Sequence, residues 1–341
     1  TLAVAATPTG STPRLLAGGN DVLRLIRGET VLTLGTTNPL TPVVLATNQL
    51  SPFGAVGWTE SGDRAVGWRA GRYWTLDVAD PEQPQLVAGF VAEKQWSALI
   101  LDGQQAYAGG FNFLSWLDLS DLAQPKTVTT ITNEQVYRSF ALAGQYLYAQ
   151  TQEPAVQIFD VSRMGDFQMV GSLPFDSLSS FQIVSNRLYV FRSQQPALVV
   201  YSLDNPLAPE RIGALSHWRI MGSGLFHGSF LYARVSSIGG EGGFEVFDVS
   251  EPGAIRRVGG NSQPTSALAT DGRALYAVTG GGLRTLSLYA EMQAFRPMLP
   301  ALADGAFRFQ VRGIPGTSVQ VQRAGDLSGW QDWQSLTFDG D

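Results

Sequence analysis

The sequence predicts an all-β fold: a seven-bladed β-propeller closed by an N-terminal strand and followed by a short C-terminal β-sandwich-like module. Three observations support this fold: a motif that recurs at a nearly constant spacing, apolar and polar residues that alternate within each copy, and a turn signal at the same place in each copy. Period-two alternation is the pattern of half-buried strands. A four-stranded unit repeated every 40 to 45 residues or so is typical of a propeller blade.

The clearest copy of the repeat is FEVFDVSEPGAIRRVGG, at positions 244–260. Related copies lie at 31–47, 73–89, 114–130, 156–172 and 198–214, and an eroded copy, LRTLSLY, lies at 283–289. The copies align at Gly35, Asp77, Asp118, Asp160, Ser202, Asp248 and Ser287. Successive positions among the first six are 41 to 46 residues apart. Seven copies predict seven blades.

Each copy is preceded by a second marker, which is an apolar stretch, a tight turn and, in most copies, a Tyr-containing strand. Glycine or asparagine supplies the positive φ that a short hairpin turn needs, and we expect this role for Gly19, Gly62, Gly103, Gly144, Asn186, Gly228 and Gly272. Each unit therefore has four strands, except that the seventh stops after its third. The segment TLAVAA at 1–6 can supply the missing outer strand and so remove an exposed edge.

The aspartates of the repeat are predicted to be structural. An Asp that precedes a turn accepts hydrogen bonds from nearby backbone amides. Recurrence of the acid in several blades argues against a single catalytic carboxylate, and its absence at Gly35 and Ser202 argues against a ring of metal ligands. No catalytic residue, metal or cofactor is predicted.

Composition excludes several classes of function. The chain of 341 residues has no cysteine and only two histidines, which rules out disulfides, thiolate zinc sites, cysteine nucleophiles and multi-histidine metal sites. A formal net charge of −6 opposes binding to nucleic acid, whose phosphates require many cationic contacts. No apolar run reaches the eighteen or so residues of a membrane helix, so no transmembrane segment is predicted.

Hydrophobic alternation, then Asp-Val-Ser, then Pro, then an outer strand ending in Val-Gly, resembles the repeat of the LVIVD family of bacterial and archaeal propeller proteins. The resemblance covers roughly residues 10 to 290, with departures in two copies: 156–172 has SRMGDF in place of the Pro turn, and 198–214 has Ser202 in place of the acid. The resemblance implies the propeller fold and an extracytoplasmic location, either secreted, periplasmic or at the cell surface. It implies no defined catalytic residues.

The character of the chain changes after the last repeat. We predict a propeller over 1–289, a Pro-punctuated linker over 290–305 and a partial β-sandwich-like module over 306–341. A Val-x-Val strand followed by Asp326-Leu327-Ser328-Gly329-Trp330 resembles the C-terminal module of secreted planctomycete and verrucomicrobial proteins.

The candidate binding site lies where loops should converge. In a four-stranded meander, the outer-to-inner connections and the second-to-third-strand loops lie on one face, at the mouth of the central channel, which is the default ligand site. We call this the mouth face, and its candidate ligand-binding residues are Trp96, Tyr137, Arg138, Arg192, His217, Trp218, Arg219 and Arg234. Aromatic rings stack on sugars, and guanidinium groups bind carboxylates in a bidentate manner. The sequence thus predicts a non-catalytic binding or scaffold protein that recognises an acidic glycan or a protein partner.

Two alternatives stay open. A carbohydrate-active enzyme, either a polysaccharide lyase or a hydrolase, could act on an acidic polysaccharide. His217, Tyr137 and Arg138 are the residue types a lyase needs, and Glu153 with Glu241 is the candidate acid pair of a hydrolase. A structural subunit of a cell-surface assembly is the second alternative. Convergence of these residues in one groove favours an enzyme, whereas a large apolar patch on the rim or bottom favours an assembly subunit.

Overall fold

The structure of the chain is a computed structural model that describes residues 14–17, 21–27, 30–38, 41–49, 57–69, 71–80, 83–217, 220–237, 240–279, 282–288, 318–323 and 331–337. These residues divide between two compact units, 1–286 and 287–341. The described strands are β1 (Arg14–Ala17), β2 (Val22–Arg27), β3 (Thr30–Gly35), β4 (Val43–Gln49), β5 (Gly57–Ser61), β6 (Arg64–Arg69), β7 (Arg72–Asp77), β8 (Gln85–Val91), β9 (Trp96–Asp102), β10 (Gln105–Asp118), β11 (Lys126–Ala143), β12 (Tyr146–Thr151), β13 (Ala155–Asp160), β14 (Gln168–Pro174), β15 (Ser180–Val184), β16 (Arg187–Phe191), β17 (Leu198–Ser202), β18 (Glu210–Leu215), β19 (Ile220–His227), β20 (Phe230–Ser237), β21 (Gly240–Asp248), β22 (Arg256–Asn261), β23 (Thr265–Thr270), β24 (Ala274–Thr279), β25 (Gly282–Ser287), β26 (Ser318–Arg323) and β27 (Gln331–Thr337). A short 3-10 helix, Pro252–Ala254, precedes β22.

The first unit is an all-β propeller. Its described strands form six sheets, in the orders β1–β4, β5–β8, β9–β14, β15–β18, β19–β22 and β23–β25. Within each sheet, strands that follow one another in sequence are hydrogen-bonded neighbours, and their pairings are antiparallel. The prediction of seven blades is therefore wrong, because the described residues form six.

The reduced number of sheets has its origin in one long strand. β11 has 18 residues and pairs with β10 through its first part and with β12 through its second part. The third and fourth repeats, expected as separate blades, therefore share one six-stranded sheet. Between Lys126 and Ala143 neither a glycine nor a proline interrupts the chain, so no residue there forces the strand to end.

The local features of the repeat agree with the prediction. Positive φ angles occur at the hairpin turns of six repeats, at Gly62, Gly103, Gly144, Asn186, Gly228 and Gly272; Gly19 lies outside the described residues. Each aspartate of the repeat accepts a hydrogen bond from the backbone amide two residues on, as in Asp118 Oδ1 with the Ser120 N–H at 2.8 Å. In the fifth repeat the Ser202 hydroxyl accepts the equivalent bond from Asp204 at 3.1 Å. The structural role predicted for these acids is thereby confirmed.

A β-bulge recurs at one position in each repeat that has a described outer strand. The register between the third and fourth strands shifts just before the position of the acid, at 33/34, 75/76, 116/117, 158/159, 200/201 and 246/247. A bulge bends its strand and increases the local twist. Each outer strand is therefore rotated away from the three strands inside it.

The buried core lies between neighbouring sheets. One cluster joins the first and last sheets, since Leu23 and Leu25 pack with Tyr276 and Leu283. The ring is thus closed by side-chain packing between its two ends. The predicted closing strand at 1–6 lies outside the described residues.

The second unit contributes one described element, the antiparallel pair of β26 and β27. Its register runs from Ser318 opposite Thr337 to Arg323 opposite Gln331, with a shift between Val321 and Gln322. The predicted linker at 290–305 and the rest of the predicted module lie outside the described residues.

Candidate functional site

Arg234 links two neighbouring sheets at the predicted mouth face. Its Nη1, on β20, donates a hydrogen bond to the Ser266 carbonyl oxygen, on β23, at 2.9 Å. The bond therefore joins the second strand of one sheet to the first strand of the next.

Two aromatic candidates of this face are part of the packing. Trp96 stacks on Tyr73, with ring centroids 4.3 Å apart. Tyr137 has no exposed surface; its hydroxyl donates to Gln157 Oε1 at 3.0 Å and accepts from Asn133 Nδ2 at 2.7 Å. Burial raises the pKa of the Tyr137 hydroxyl above its ordinary value. Tyr137 therefore has neither the access nor the acidity that proton donation to a substrate needs.

His217 belongs to a charged cluster rather than to a free surface. Its Nε2 lies 2.8 Å from Glu245 Oε2, and Arg257 Nε lies 3.3 Å from the other oxygen of the same carboxylate. The His217 ring also makes an edge contact with Phe247 at 5.3 Å. Glu245 therefore lies between the Arg257 guanidinium and the His217 imidazole, and it holds His217 against the sheet.

The lyase residues do not converge. Tyr137 packs in a core cluster with Phe159, whereas the ring that His217 contacts, Phe247, packs in another cluster with Tyr189. Trp218 and Arg219 lie outside the described residues. Of the hydrolase pair, Glu153 is exposed and borders the β9–β14 sheet, whereas Glu241 lies on β21, in a sheet two repeats further along the chain.

Two side chains at the predicted mouth face remain exposed, on neighbouring strands. Phe111 is 71% exposed and pairs through its backbone with Val136 on β11. Arg138, two residues further along β11, is exposed and makes no hydrogen bond or ion pair with the described residues. Arg192 is mostly covered, and its Nη2 lies 3.5 Å from Oδ2 of the exposed Asp176. Of the eight predicted residues, Arg138 is the one whose side chain is described as exposed and without a partner.

A set of arginines that the sequence reasoning missed connects neighbouring sheets. Arg64 donates to the Leu119 carbonyl, Arg187 to the Val249 carbonyl at 3.1 Å, and Arg273 to the Thr36 carbonyl at 2.6 Å. In each case the acceptor immediately follows the acid position of another repeat. We call these bonds the arginine clasps. The sequence signal was an Arg just after the hairpin turn, in SGDR, SNR and TDGR.

The turn that follows each acid is a second point of contact between sheets. Thr75 donates to the Leu122 carbonyl at 2.6 Å, and Tyr148 donates to the Pro206 carbonyl at 2.9 Å. The amide of Asn48 likewise donates to the Pro84 carbonyl. In these three repeats the turn therefore supplies carbonyl acceptors to the preceding sheet.

A buried charge lies between the first two sheets. Arg24 is 1% exposed, and its Nη1 lies 2.5 Å from Glu60 Oε2, while Trp58 Nε1 donates to Glu60 Oε1 at 2.6 Å. Burial raises the pKa of Glu60, although the Arg24 charge and the hydrogen bonds from Trp58 and Arg24 oppose the shift. The cluster is a structural ion pair between two sheets.

Two properties of the described residues bear on chemistry and location. Nowhere in the described ranges do three or more His, Asp or Glu side chains come close enough to hold a metal ion. Within the same ranges, no helix has the length and apolarity to cross a membrane.

Comparison with known proteins identifies the fold. No family model and no curated protein sequence matches the chain. Among solved structures, the Cps50 (Swd1) β-propeller domain of Myceliophteria thermophila matches with a TM-score of 0.63 and 13% identity. The match covers 84% of this chain and 99% of that one. A chain of the Mitotic Checkpoint Complex matches with a TM-score of 0.59 and 13% identity, covering 81% and 89%. BamB from Moraxella catarrhalis matches with a TM-score of 0.52 and 16% identity, covering 80% and 83%. At these identities the likeness shows the β-propeller fold alone.

Proposed function

We propose that this protein is a non-catalytic binding protein that recognises a partner polypeptide on its mouth face. The observation that carries the proposal is the pair Phe111 and Arg138, an exposed aromatic ring and an exposed, unpaired guanidinium on adjacent strands. Aromatic and arginine side chains are enriched among the residues that contribute most to protein interfaces.

The solved structures that share the fold are consistent with a binding role. Swd1 and the Mitotic Checkpoint Complex chain share the fold, and the latter was solved within a protein complex. The resemblance of the repeat to LVIVD proteins supports an extracytoplasmic location for the encounter, which we include in the proposal. Cell fractionation of the native source tests that location directly.

An enzymatic role has weaker support. Tyr137 is buried with its hydroxyl hydrogen-bonded on both sides, and His217 is held by Glu245. Neither group is free to exchange a proton with a substrate at the mouth face. No specific contact favours the lyase or hydrolase alternative.

A peptide-display library tests the proposal. We expect the chain to select peptides that carry acidic and aromatic residues, since these complement Arg138 and Phe111. Phe111→Ala and Arg138→Ala should each lower the affinity for a selected peptide by about tenfold, equivalent to about 1.4 kcal/mol of binding free energy. Met164→Ala is the matched control, because Met164 is also exposed, at 56%, but lies in a third-to-fourth-strand turn, on the opposite face.

Glycans form the second arm of the experiment. The same variants are tested with polygalacturonate and dextran by thermal unfolding, in low and high salt, with a product assay for cleavage. Polygalacturonate could raise the unfolding midpoint in low salt but not in high salt, and Arg138→Ala could abolish that shift. If no peptide is selected as well, the ligand is an acidic glycan rather than a polypeptide. Peptides that bind the Phe111→Ala and Arg138→Ala variants as well as the original chain would remove the mouth face from the proposal.

A further inference from the structure

A β-bulge interrupts the first strand of several repeats close to where that strand begins. In β9, in the second part of β11 and in β23, one residue is left out of the register with the second strand, namely Ser97, Arg138 and Ser266. Each of these residues lies six positions before the hairpin glycine of its repeat. A bulge changes the direction of the side chain that it carries. Side-chain direction at this position is therefore a feature of the repeat.

The bulge in β11 determines the direction of Arg138. Tyr137 faces the third repeat, where it packs in one cluster with residues of β10. Ser139 faces the fifth repeat, because its hydroxyl donates to Gln150 Oε1 at 2.7 Å and Gln150 Nε2 donates to the Ser179 carbonyl oxygen at 3.3 Å. Residues two apart on a regular strand point to the same side. The extra residue, Arg138, separates these two, and its own side chain is exposed rather than packed against either repeat.

Short side chains occupy the positions on either side of Arg138. The corresponding residues of the third and fifth repeats are Ser97 and Ser179, and both serines are exposed. The guanidinium is therefore the one long side chain of these three positions, and neither neighbour is large enough to cover it. A guanidinium donates hydrogen bonds and accepts none, and it binds carboxylates through two parallel bonds. The ligand group that fits this position is a carboxylate.

Three other cations at the predicted mouth face are engaged by groups of the protein itself. Arg192 Nη2 lies 3.5 Å from an aspartate oxygen, Arg234 donates to a backbone carbonyl, and Lys94 Nζ lies 5.1 Å from the centre of an aromatic ring. Arg138 makes no hydrogen bond or ion pair with the described residues. A carboxylate that binds Arg138 therefore displaces no described partner.

Phe111 and Arg138 set the spacing of the groups on a bound segment. Phe111 pairs with Val136, and Arg138 lies two residues further along the same strand, a rise of about 7 Å. Side chains on one face of an extended peptide recur at every second residue, at the same interval. A segment that runs along β11 can therefore contact Phe111 with one side chain and Arg138 with the side chain two residues away.

We propose that the partner polypeptide binds in an extended conformation and carries a carboxylate two residues from an apolar side chain, with the apolar side chain on Phe111 and the carboxylate on Arg138. The inference rests on the proposed function and adds the chemical class of the recognised group and its position. The carboxylate belongs either to an acidic side chain or to the C-terminus of the partner, and the experiment separates these two sources.

Defined peptides test this pattern on the 341-residue chain. The probe is the peptide Gly-Ser-Tyr-Ser-Asp-Ser-Gly, acetylated and amidated, and its dissociation constant is measured by nuclear magnetic resonance titration. Replacing its aspartate with asparagine should weaken binding by about tenfold, the effect of losing a charged hydrogen bond. Moving the aspartate next to the tyrosine should weaken binding to a similar extent.

A second pair of peptides tests the C-terminal source of the carboxylate. Acetyl-Gly-Ser-Tyr-Ser with a free carboxylate is compared with its amide. If the free acid binds about tenfold more tightly than the amide, the recognised group is the C-terminus. If only the aspartate peptide shows such a difference, the recognised group is an acidic side chain.

Arg138→Ala should abolish the difference between the carboxylate peptides and their uncharged counterparts. Arg163→Ala is the matched control and should preserve that difference, because Arg163 is also exposed but lies in the turn before β14, on the opposite face. If Phe111→Ala weakens binding while no carboxylate matters, the inference is overturned and the proposed function stands. A carboxylate effect that persists in Arg138→Ala, or that is equal at every spacing, also overturns the inference. Failure of every peptide to bind, in this titration and in the display library, overturns both.

Discussion

Arg273 and Asp21 join the two ends of the propeller: Arg273 Nη2 lies 2.7 Å from Asp21 Oδ1. Arg273 precedes β24 in the last sheet and Asp21 precedes β2 in the first. The same guanidinium donates to the Thr36 carbonyl across 237 residues of sequence and contacts Asp271 at 3.1 Å. Arg273 therefore adds polar contacts to the ring closure, beside the packing of Leu23 and Leu25 on Tyr276.

Arg273→Ala should destabilise the propeller by about 1 to 3 kcal/mol, because it removes hydrogen bonds made by a charged group. Partial exposure of the guanidinium to solvent limits the size of this effect. Chemical unfolding followed by tryptophan fluorescence measures this change. Arg138→Ala, which removes an exposed arginine without a described partner, should change the free energy of unfolding by less than about 0.5 kcal/mol. Equal effects of the two substitutions would show that packing alone closes the ring.

Asp271 should make the closure sensitive to acid. Burial raises the pKa of Asp271, but hydrogen bonds from the Arg273 and Ala274 amides and from the Tyr276 hydroxyl outweigh it and hold the pKa below its ordinary value. A carboxyl whose pKa is lower in the folded state stabilises the fold above its unfolded pKa, and this stability is lost as the pH falls through the folded pKa.

We therefore expect the free energy of unfolding to fall below about pH 5, and to fall less steeply in Asp271→Asn. The matched control is Asp102→Asn, because Asp102 also precedes a hairpin glycine but is exposed and has no hydrogen bond from its side chain to the described residues. It should keep the original slope. A slope that Asp271→Asn leaves unchanged would assign the acid sensitivity to other carboxylates.

Removing one partner of the buried pair between the first two sheets should be costly. Glu60→Gln leaves the Arg24 charge buried without a counter-ion, and we expect a loss of about 3 to 5 kcal/mol. The double variant Arg24→Met with Glu60→Gln removes the charge as well and should recover most of that loss. Thermal unfolding of the single and double variants measures the difference. A double variant no more stable than Glu60→Gln would indicate that Arg24 is needed for its shape rather than its charge.

Gly213 should be intolerant of any side chain. A Cβ at this position on β18 would overlap the carbonyl oxygen of Pro252, in the 3-10 helix of the next sheet. Gly213→Ala should therefore destabilise the chain by about 1 to 3 kcal/mol as the two sheets are pushed apart. Gly253→Ala is the control from the other side of the same contact, where the nearest atom to a Cβ is the Ile212 oxygen at 3.9 Å. Equal unfolding midpoints for the two variants would contradict this account.

Short-range features could be predicted from the sequence because they depend on a few adjacent residues. The positive φ at Asn186 and the amide bond accepted by Asp118 both follow from turn chemistry. Contacts between sheets could not be predicted in this way. Arg24 lies in a strand of alternating residues and pairs with Glu60 in the next sheet, a partner that no local pattern identifies.

The site shows the same division. Tyr137 was placed on a surface loop because it follows an outer strand, yet β11 continues through it and directs its ring into the core. A register shift between Tyr137 and Ser139 accompanies this change. Arg138 stays exposed next to it. The blade count failed for the same reason, since the end of a strand depends on what pairs with it.

The continuity of β11 sets where the chain could be reopened. New termini between β8 and β9, at 92–95, would cut a connection between two sheets and leave both ladders intact. New termini within β11 would instead cut a strand hydrogen-bonded to both β10 and β12. The third and fourth repeats should therefore be inherited, exchanged or deleted as a pair, whereas the other repeats are modular.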